Sequence, residues 1–321
     1  MNKPRVAVCL SGEMRDYQRC DSDLKQYLAN YECDYFICAW DEIGGKGNKY
    51  NKAKVDIQDI TNRYSPKVLD IQLKQEWDKN RFLYKNYGGA THPLHPNGVY
   101  MDFISQYQTW YKLSLLFKKY IQKGISYDFV IRTRPDLKIV DMDKSGILDL
   151  NVATFHQPRR PIYCCEGTRV NGMVKGFWRD GIRSADLKNE CEILETSLQN
   201  FDMKEWNKNH NQFLASTLLQ GVASHVDVGE IVNNMLTAAR FAAKRADSHD
   251  SFPGVSDQIS MTSVEDYFKY TEYTFMTSIL YRTGLLDKKI NVLAWGVALA
   301  NLQPIVVANL HHTLASNSGN T

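Results

Sequence analysis

The fold is decided by the stretch YDFVIRTRPDLKI, residues 127–139. Its first half is a run of β-branched and aromatic residues with the length of a strand. Pro135 cannot donate a hydrogen bond to a sheet, so we expect the strand to end before it. While the chain stays extended, Arg132, Arg134 and Asp136 lie on one face of the strand's exit. Two cations and one anion at the end of a buried strand are costly unless they are paired or bind a ligand.

The strand end has two interpretations, and the stretch itself leaves both open. The first is a structural pair between an arginine and the aspartate that closes the strand. The second is a site for an anionic ligand, with or without a metal ion, because open α/β sheets bind ligands at the ends of their strands. The surrounding chain favours the second, since it supplies a sheet, a covering helix and a turn suited to phosphate.

The whole chain has the composition of a folded protein. Its 321 residues are 43% hydrophobic and 12% aromatic, which argues against disorder. The 39 basic and 36 acidic residues give a net charge of +3, and this near balance does not indicate a nucleic-acid partner. We therefore expect one large domain or two small ones and no nucleic-acid ligand.

The cysteines and the apolar runs indicate the compartment. Seven cysteines include no CxxC pair, which argues against a zinc ribbon or a thioredoxin-like motif. Several lie inside apolar runs, which fits buried thiols in a reducing environment. The apolar run Val6–Leu10 is too short for a signal peptide. The segment Ile290–Leu310 has no charged residue and the length of a membrane span. Its three asparagines, glutamine and proline favour a buried terminal segment instead, so we predict a cytoplasmic protein without a transmembrane span.

The first strand leads into a turn that suits a phosphate group. Val6–Leu10 is a continuous apolar run, as expected for a strand buried on both faces. Ser11 and Gly12 follow at once and permit a tight turn whose N–H groups can approach a phosphate. Arg15 adds a charged fork for the same ligand. A plain turn without a ligand is the alternative here.

Strand and helix patterns alternate through the first seventy residues, which predicts a parallel sheet with covering helices. Further strands are predicted over 33–40 and 66–71, and helices over 21–31 and 57–64. A long aromatic helix over 100–120 then leads into the stretch quoted above.

The later half of the chain is predicted to be more helical. Helices are expected over 182–201 and 226–245, and another begins at a capping box formed by Thr262 and Glu265. A short strand is predicted over 152–155.

These patterns point to a nucleotide-diphosphate site at the end of the central strand. In this interpretation Asp136 holds a divalent cation that bridges the two phosphates. Arg132 and Arg134 supplement or replace that cation, because guanidinium groups also neutralise phosphates. Asp141 and Asp143 form a second-choice metal site, for which an exposed acidic turn is the alternative.

Four segments together resemble a group of bacterial and viral glycosyltransferases with an Arg-x-Arg-Pro-Asp-Leu motif. They are SGEMR at 11–15, CDYFICAW at 33–40, YDFVIRTRPDL at 127–137 and SDQ at 256–258. The match spans roughly residues 5–140 and resumes near 250–285. The arginine-rich element is its most specific part, and the other segments are weak alone.

The resemblance implies an α/β, GT-A-like (Rossmann-like) fold: a mostly parallel central sheet flanked by helices, with a more helical C-terminal half. Residues 1–140 would form the nucleotide-sugar-binding half, and residues 141–312 the acceptor side of the same domain. Residues 313–321 would be a disordered tail. The implied activity is transfer of a sugar from a nucleotide-diphosphate donor to a glycan, lipid-linked or protein acceptor.

The resemblance also implies roles for single residues. Ser11, Gly12 and Arg15 would border the nucleotide, together with the arginines of the motif. Asp136 would hold Mn²⁺ or Mg²⁺, although Arg134 replaces the first carboxylate of the usual metal motif. Asp257 would bind the acceptor or act as the general base that an inverting reaction needs. The alternative is that Asp257 only opens the following helix.

Two points stay open at the level of sequence. His311 and His312 are a possible late pair of metal ligands, which the spacing alone does not establish. A non-catalytic protein that keeps the fold and binds a nucleotide or glycan is the alternative function, and the missing carboxylate favours it. A nucleotidyl- or sulfotransferase is a more remote alternative, because no strong glycine-rich phosphate loop is present.

Overall fold

A computed structural model describes the chain in segments. These are residues 3–43, 53–74, 103–140, 147–156, 160–164, 168–170, 173–175, 182–199, 228–246, 251–252, 259–282, 292–306 and 311–314. The helices in them are α1 (Tyr17–Tyr27), α2 (Ile57–Tyr64), α3 (Phe103–Ile121), α4 (Ser184–Gln199), α5 (Val228–Ala246), α6 (Val264–Arg282) and α7 (Val292–Leu299).

The strands in these segments form one large sheet and several small ones. They are β1 (Arg5–Gly12), β2 (Glu32–Trp40), β3 (Glu42–Ile43), β4 (Ala53–Lys54), β5 (Val68–Gln72), β6 (Phe129–Thr133), β7 (Leu137–Val140), β8 (Pro161–Cys164), β9 (Thr168–Val170), β10 (Met173–Lys175), β11 (Ile182–Arg183), β12 (Ser251–Phe252), β13 (Ile259–Thr262), β14 (Gln303–Val306) and β15 (His311–Leu314).

The central sheet has seven strands in the order β14-β8-β13-β6-β1-β2-β5. Six run in the same direction, and β13 runs antiparallel to both of its neighbours. The apolar run Val6–Leu10 of β1 lies in the middle of this sheet and is fully buried. The predicted α/β class with a mostly parallel central sheet is therefore confirmed.

The strand order reverses at β1. The chain passes from β1 through α1 to β2 and through α2 to β5, always toward the same edge. It then returns through α3 to β6, which pairs with β1 on the opposite side. The point between β1 and β6 is thus a topological switch point, where open α/β sheets bind their ligands.

Both faces of the sheet are covered. One apolar cluster joins Val6, Val8 and Leu10 of β1 to side chains of α1 and α2. A second joins Ala7 and Cys9 of β1 to side chains of α3 and α6. Because neighbouring β1 residues point to opposite faces, the continuous apolar run follows directly from burial on both sides.

The chain leaves the central sheet immediately after β6. Residues Arg134–Asp136 separate β6 from β7, which belongs to a four-stranded sheet of order β10-β9-β15-β7. The predicted end of the strand before Pro135 is confirmed, because Thr133 is its last residue. Because Arg134–Asp136 belong to neither sheet, their side chains need not point alternately to opposite sides.

The described C-terminal half is rich in helices, and its strands complete the central sheet. Helix α6 packs against α3 and α7. The sheet takes β8, β13 and β14 from residues after 140, so both predicted halves share one sheet. The segment 290–310 supplies α7 and β14. In the described ranges, no helix is both long and apolar enough to cross a membrane.

Three local predictions differ from the structure. Residues 152–156 form a 3₁₀ helix instead of a strand, because Phe155 stacks on Phe129 with ring centroids 4.9 Å apart. Helix α1 begins at Tyr17, four residues before the predicted start at residue 21, because Tyr17 is itself buried. The cap of α6 is Ser263, whose Oγ accepts the Asp266 N–H at 3.1 Å.

Candidate functional site

The segments that follow β1 and β6 meet at the switch point. The strands are parallel, with Leu10 opposite Thr133, so both chains leave the sheet at the same edge. Glu13 and Arg15 come after β1, and Arg134 and Asp136 come after β6. We call these four residues the strand-end cluster.

The turn after β1 depends on a glycine. Gly12 has a φ of 111°, a conformation that residues with a side chain rarely adopt. Ser11 precedes it and is buried, and its Oγ has no hydrogen-bond partner among the described residues. Helix α1 begins soon after the turn, and the side chain of its N-cap Asp16 makes no capping hydrogen bond. The predicted turn is thus built around a backbone that requires glycine.

Arg134 and Asp136 form a bidentate ion pair. Nε of Arg134 lies 2.9 Å from Oδ1 of Asp136, and Nη2 lies 2.9 Å from Oδ2. Asp136 is only 1% exposed. A two-pronged pair of this kind is among the stronger polar contacts in proteins, and it satisfies both oxygens of a buried carboxylate.

Arg15 connects the two strand exits. Its Nη2 lies 3.5 Å from Oδ2 of Asp136, and its Nε lies 3.2 Å from Oε2 of Glu13. The Arg15 side chain is 17% exposed, so its guanidinium group is still within reach of solvent. The guanidinium therefore lies between two carboxylates, one from each strand exit.

Glu13 belongs to this cluster, although the sequence did not single it out. Its pKa is raised mainly by burial, which the positive charges of Arg15, Lys74 and Arg134 only partly offset. It lies inside the SGEMR turn that contains three predicted site residues. Proximity to Arg15 in sequence was the one available signal for it.

Arg132 lies apart from the strand-end cluster. Its Cζ is 3.2 Å from the centroid of the Trp110 ring on α3, and the residue is 1% exposed. Arg132 is still in the strand and points to the face that α3 covers, whereas Arg134 lies beyond the strand. The expected common face of Arg132, Arg134 and Asp136 therefore does not form.

The exits of β2 and β5 add further charge to this edge. Oδ1 of Asp41 accepts the backbone N–H of Lys74 at 2.8 Å, and Oδ2 of Asp41 lies 2.5 Å from Nζ of Lys54. Lys74 Nζ lies 4.7 Å from the centroid of the Trp40 ring. Since Lys74 also acts on the pKa of Glu13, the environment of Glu13 holds three cations and one further anion.

A second polar group lies inside the fold and serves as a contrast. Lys112 Nζ is 2.9 Å from Oδ2 of Asp70. Gln72 donates to the same Asp70 oxygen at 3.2 Å, and Gln108 donates to Gln72 at 3.3 Å. We call these four residues of α3 and β5 the core network. Its one cation and one anion balance each other.

The donor set at Asp136 does not fit a divalent cation in this arrangement. Mg²⁺ and Mn²⁺ take several oxygen ligands in an open octahedral shell, whereas both Asp136 oxygens face guanidinium groups. Unit charges 4 Å apart interact by about 4 kcal/mol near a protein surface, and a divalent ion doubles this repulsion. Within the described residues, no group of three or more His, Cys, Asp or Glu side chains is placed to hold a metal.

The remaining predicted residues are only partly placed. Asp257 lies outside the described residues, and so do Asp141 and Asp143. Strand β15 pairs with β7, which sets His312 opposite Ile139 and His311 opposite Val140. The histidines are therefore on the strand beside the one that follows Asp136. Their role as metal ligands stays a prediction.

Comparisons with known proteins place the chain in no family. No family model and no curated protein matches it in sequence. Among solved structures, core-mannan synthase A from Aspergillus fumigatus, in a form with Mn and GDP, is 11% identical with a TM-score of 0.43. That alignment covers 96% of this chain and 74% of the other.

The mannosyltransferase Ktr4p from S. cerevisiae is also similar in structure. It is 11% identical with a TM-score of 0.41, over 98% of this chain and 70% of the other. Its complex with GDP gives 10% identity and a TM-score of 0.40, over 98% and 71%. At these values the likeness carries no functional conclusion, so the function must be argued from the site.

Proposed function

We propose that this protein is a glycosyltransferase that moves a sugar from a nucleotide-diphosphate donor to a glycan, lipid-linked or protein acceptor. The observation that carries the proposal is the position of the strand-end cluster at the switch point between β1 and β6. Ligands of open α/β sheets bind there, and the cations at this edge favour a ligand with several negative charges. The resemblance of the SGEMR and RTRPDL segments to glycosyltransferases supplies the reaction class.

The donor's diphosphate would lie over the turn after β1. Gly12 keeps the backbone open to a close approach, and Ser11 offers a buried hydroxyl that a donor oxygen would satisfy. Arg15 and Arg134 would neutralise the phosphate oxygens as charged forks. Arg132 would support this site from beneath, through Trp110, without touching the nucleotide.

The chemical step would exchange one bond at the sugar's anomeric carbon. An acceptor hydroxyl oxygen forms a bond to that carbon, and the bond to the β-phosphate oxygen breaks with its electron pair leaving on the nucleoside diphosphate. In an inverting reaction Asp257 would take the proton of the acceptor hydroxyl. Arg15 and Arg134 would stabilise the negative charge that grows on the leaving diphosphate.

A reducing compartment agrees with this function and with the thiols. The six cysteines in the described part of the chain are free thiols, and five of them are buried. Free buried thiols are typical of cytosolic proteins. We propose a cytoplasmic location on this basis.

A panel of nucleotide sugars tests the function. We expect at least one donor to bind and to be hydrolysed or transferred to an added acceptor. Asp257→Asn should lower turnover while leaving donor affinity nearly unchanged, because a general base acts in the transition state and not in donor binding. Donor binding without any turnover would instead favour a non-catalytic binding protein. Absence of binding to every nucleotide sugar would contradict the proposal.

A further inference from the structure

The Arg15 guanidinium occupies the position between the two carboxylates nearest the switch point. Glu13 and Asp136 come from different strand exits, and Arg15 contacts both, at 3.2 Å and 3.5 Å. Two carboxylates that face each other across a small gap normally hold a cation, because otherwise they repel. Here the cation is a side chain of the protein itself.

The second arginine removes the remaining room at Asp136. The two carboxylate oxygens of Asp136 accept hydrogen bonds from the Arg134 fork at 2.9 Å each, and Oδ2 of Asp136 also faces Arg15. Asp136 is almost completely buried. A metal ion at either oxygen would have to displace a bidentate pair and stand beside two guanidinium groups.

We infer that the site binds the diphosphate through Arg15 and Arg134 without a divalent cation, with Glu13 and Asp136 as positioning residues that hold the two guanidinium groups. This inference rests on the proposed function and replaces the sequence-based expectation of a cation at Asp136. Each carboxylate then fixes the direction of an arginine fork, which is the geometry that phosphate recognition requires.

The arrangement explains why the strand exit combines arginines with a buried aspartate. An exposed arginine loses conformational freedom when it binds a phosphate. An arginine that is already held by a carboxylate has lost much of that freedom in advance. The Nε and Nη2 atoms of Arg15 face the carboxylates, and Nη1 is the part of its fork left for a phosphate oxygen.

The direct test is the affinity for UDP and GDP measured by calorimetry, first in chelator-treated buffer and then with saturating MnCl₂. We expect the better of the two nucleotides to bind with affinities that differ by less than about threefold between the conditions. Binding that appears only with Mn²⁺, or improves by about tenfold or more, would overturn the inference and leave the proposed function standing. Absence of binding in both conditions would overturn the two together.

The variant Arg15→Ala tests whether Arg15 binds the diphosphate or only supports the structure. We expect it to weaken nucleotide binding about 10- to 100-fold in chelator, and Mn²⁺ not to restore the loss because the Arg134 fork still occupies both oxygens of Asp136. Arg15→Lys should give an intermediate loss, since it keeps the charge but not the fork. Arg240→Ala removes an exposed arginine that pairs with Glu195 and is the matched control.

The variant Asp136→Asn distinguishes a positioning residue from a metal ligand. If Asp136 positions the arginines, the substitution lowers affinity by a similar factor with and without Mn²⁺. Electron paramagnetic resonance should likewise show no tight Mn²⁺ site with bound nucleotide, either in the wild-type protein or in Arg15→Ala, because Arg134 holds both Asp136 oxygens in each. A tight wild-type Mn²⁺ site that disappears in Asp136→Asn would overturn the inference.

Discussion

The strand-end cluster and the core network contain the same kinds of groups in opposite settings. Each joins a carboxylate that lies on or just after a parallel strand to a neighbouring cation. The core network pairs Lys112 with Asp70, and Gln72 and Gln108 extend it by two hydrogen bonds. The strand-end cluster instead joins two arginines and two carboxylates from two strand exits at the switch point, and its Arg15 is partly open to solvent.

The difference between them separates structure from function. The core network lies on the outer strand β5 and on α3, away from the switch point between β1 and β6, so its removal should cost stability alone. A cluster whose arginines reach the switch point, where open α/β sheets bind their ligands, is placed to bind an anion, so its removal should cost binding first. The four variants below test this separation.

The largest effect on stability is expected from Lys112→Met. This change leaves Asp70 and its glutamine partners without their cation, and breaking a buried pair typically costs 3–5 kcal/mol. Because Asp70 is 26% exposed, we expect about 3 kcal/mol in urea unfolding and no change in nucleotide affinity. Lys119→Met, on an exposed face of the same helix, should have almost no effect. A loss of nucleotide affinity in folded Lys112→Met would contradict the assignment of the core network to stability alone.

The next largest effect is expected in binding, from Arg134→Ala. Loss of a charged fork to phosphate should weaken nucleotide affinity by about 2 kcal/mol, measured by calorimetry. Stability should fall as well, because Asp136 is 1% exposed and keeps only the Arg15 contact at 3.5 Å. Affinity equal to that of the wild type would remove Arg134 from the site. Arg240→Ala serves again as the control.

The turn residue Gly12 should affect stability and binding together. An alanine at a φ of 111° is expected to cost about 1–2 kcal/mol of stability, and to shift the backbone that approaches the phosphate. Gly124→Ala is the matched control, since Gly124 has a φ of 86° far along the chain from the turn. We expect equal losses of stability but reduced affinity only in Gly12→Ala. Reduced affinity in both would indicate a global effect.

The smallest effect is the pH dependence contributed by Glu13. Its folded-state pKa is raised by burial, so its contribution to stability is present at low pH and is lost as pH rises through that pKa. Relative to Glu13→Gln, the wild type should therefore gain stability as the pH falls from neutral to about pH 4.3 in urea unfolding. Glu265 has a lowered pKa beside Lys269, so Glu265→Gln should show the opposite sign.

Much of the sheet could be predicted because its strands are apolar on both faces. Val6–Leu10 and the apolar run before Arg132 both fit a strand that is buried in a parallel sheet. The helices that alternate with the strands indicate how successive strands are connected. The helix bounds were less predictable, since the helical spacing from residue 21 onward missed the first turn of α1, which begins at the buried Tyr17. The 3₁₀ helix at 152–156 was missed because only the stacking of Phe155 on Phe129 decides it.

The site was predictable as a set of segments but not as a set of contacts. The sequence located Arg15, Arg134 and Asp136 at two strand exits. It also placed Arg132 with them, on the assumption that the strand continued. That placement was wrong because side chains alternate only inside a strand, and Arg134 is already outside it. It overlooked Glu13, whose importance arises from the approach of β6 to β1. Contacts between segments over a hundred residues apart have no local signal in a single sequence.

The most direct test of the account is a crystal structure of the protein with UDP or GDP bound, whichever binds more tightly. We expect the diphosphate above the Gly12 turn, with phosphate oxygens about 2.7–3.2 Å from side-chain nitrogens of Arg15 and Arg134. A nucleotide whose phosphates touch neither arginine, or that binds away from the exits of β1 and β6, would contradict it.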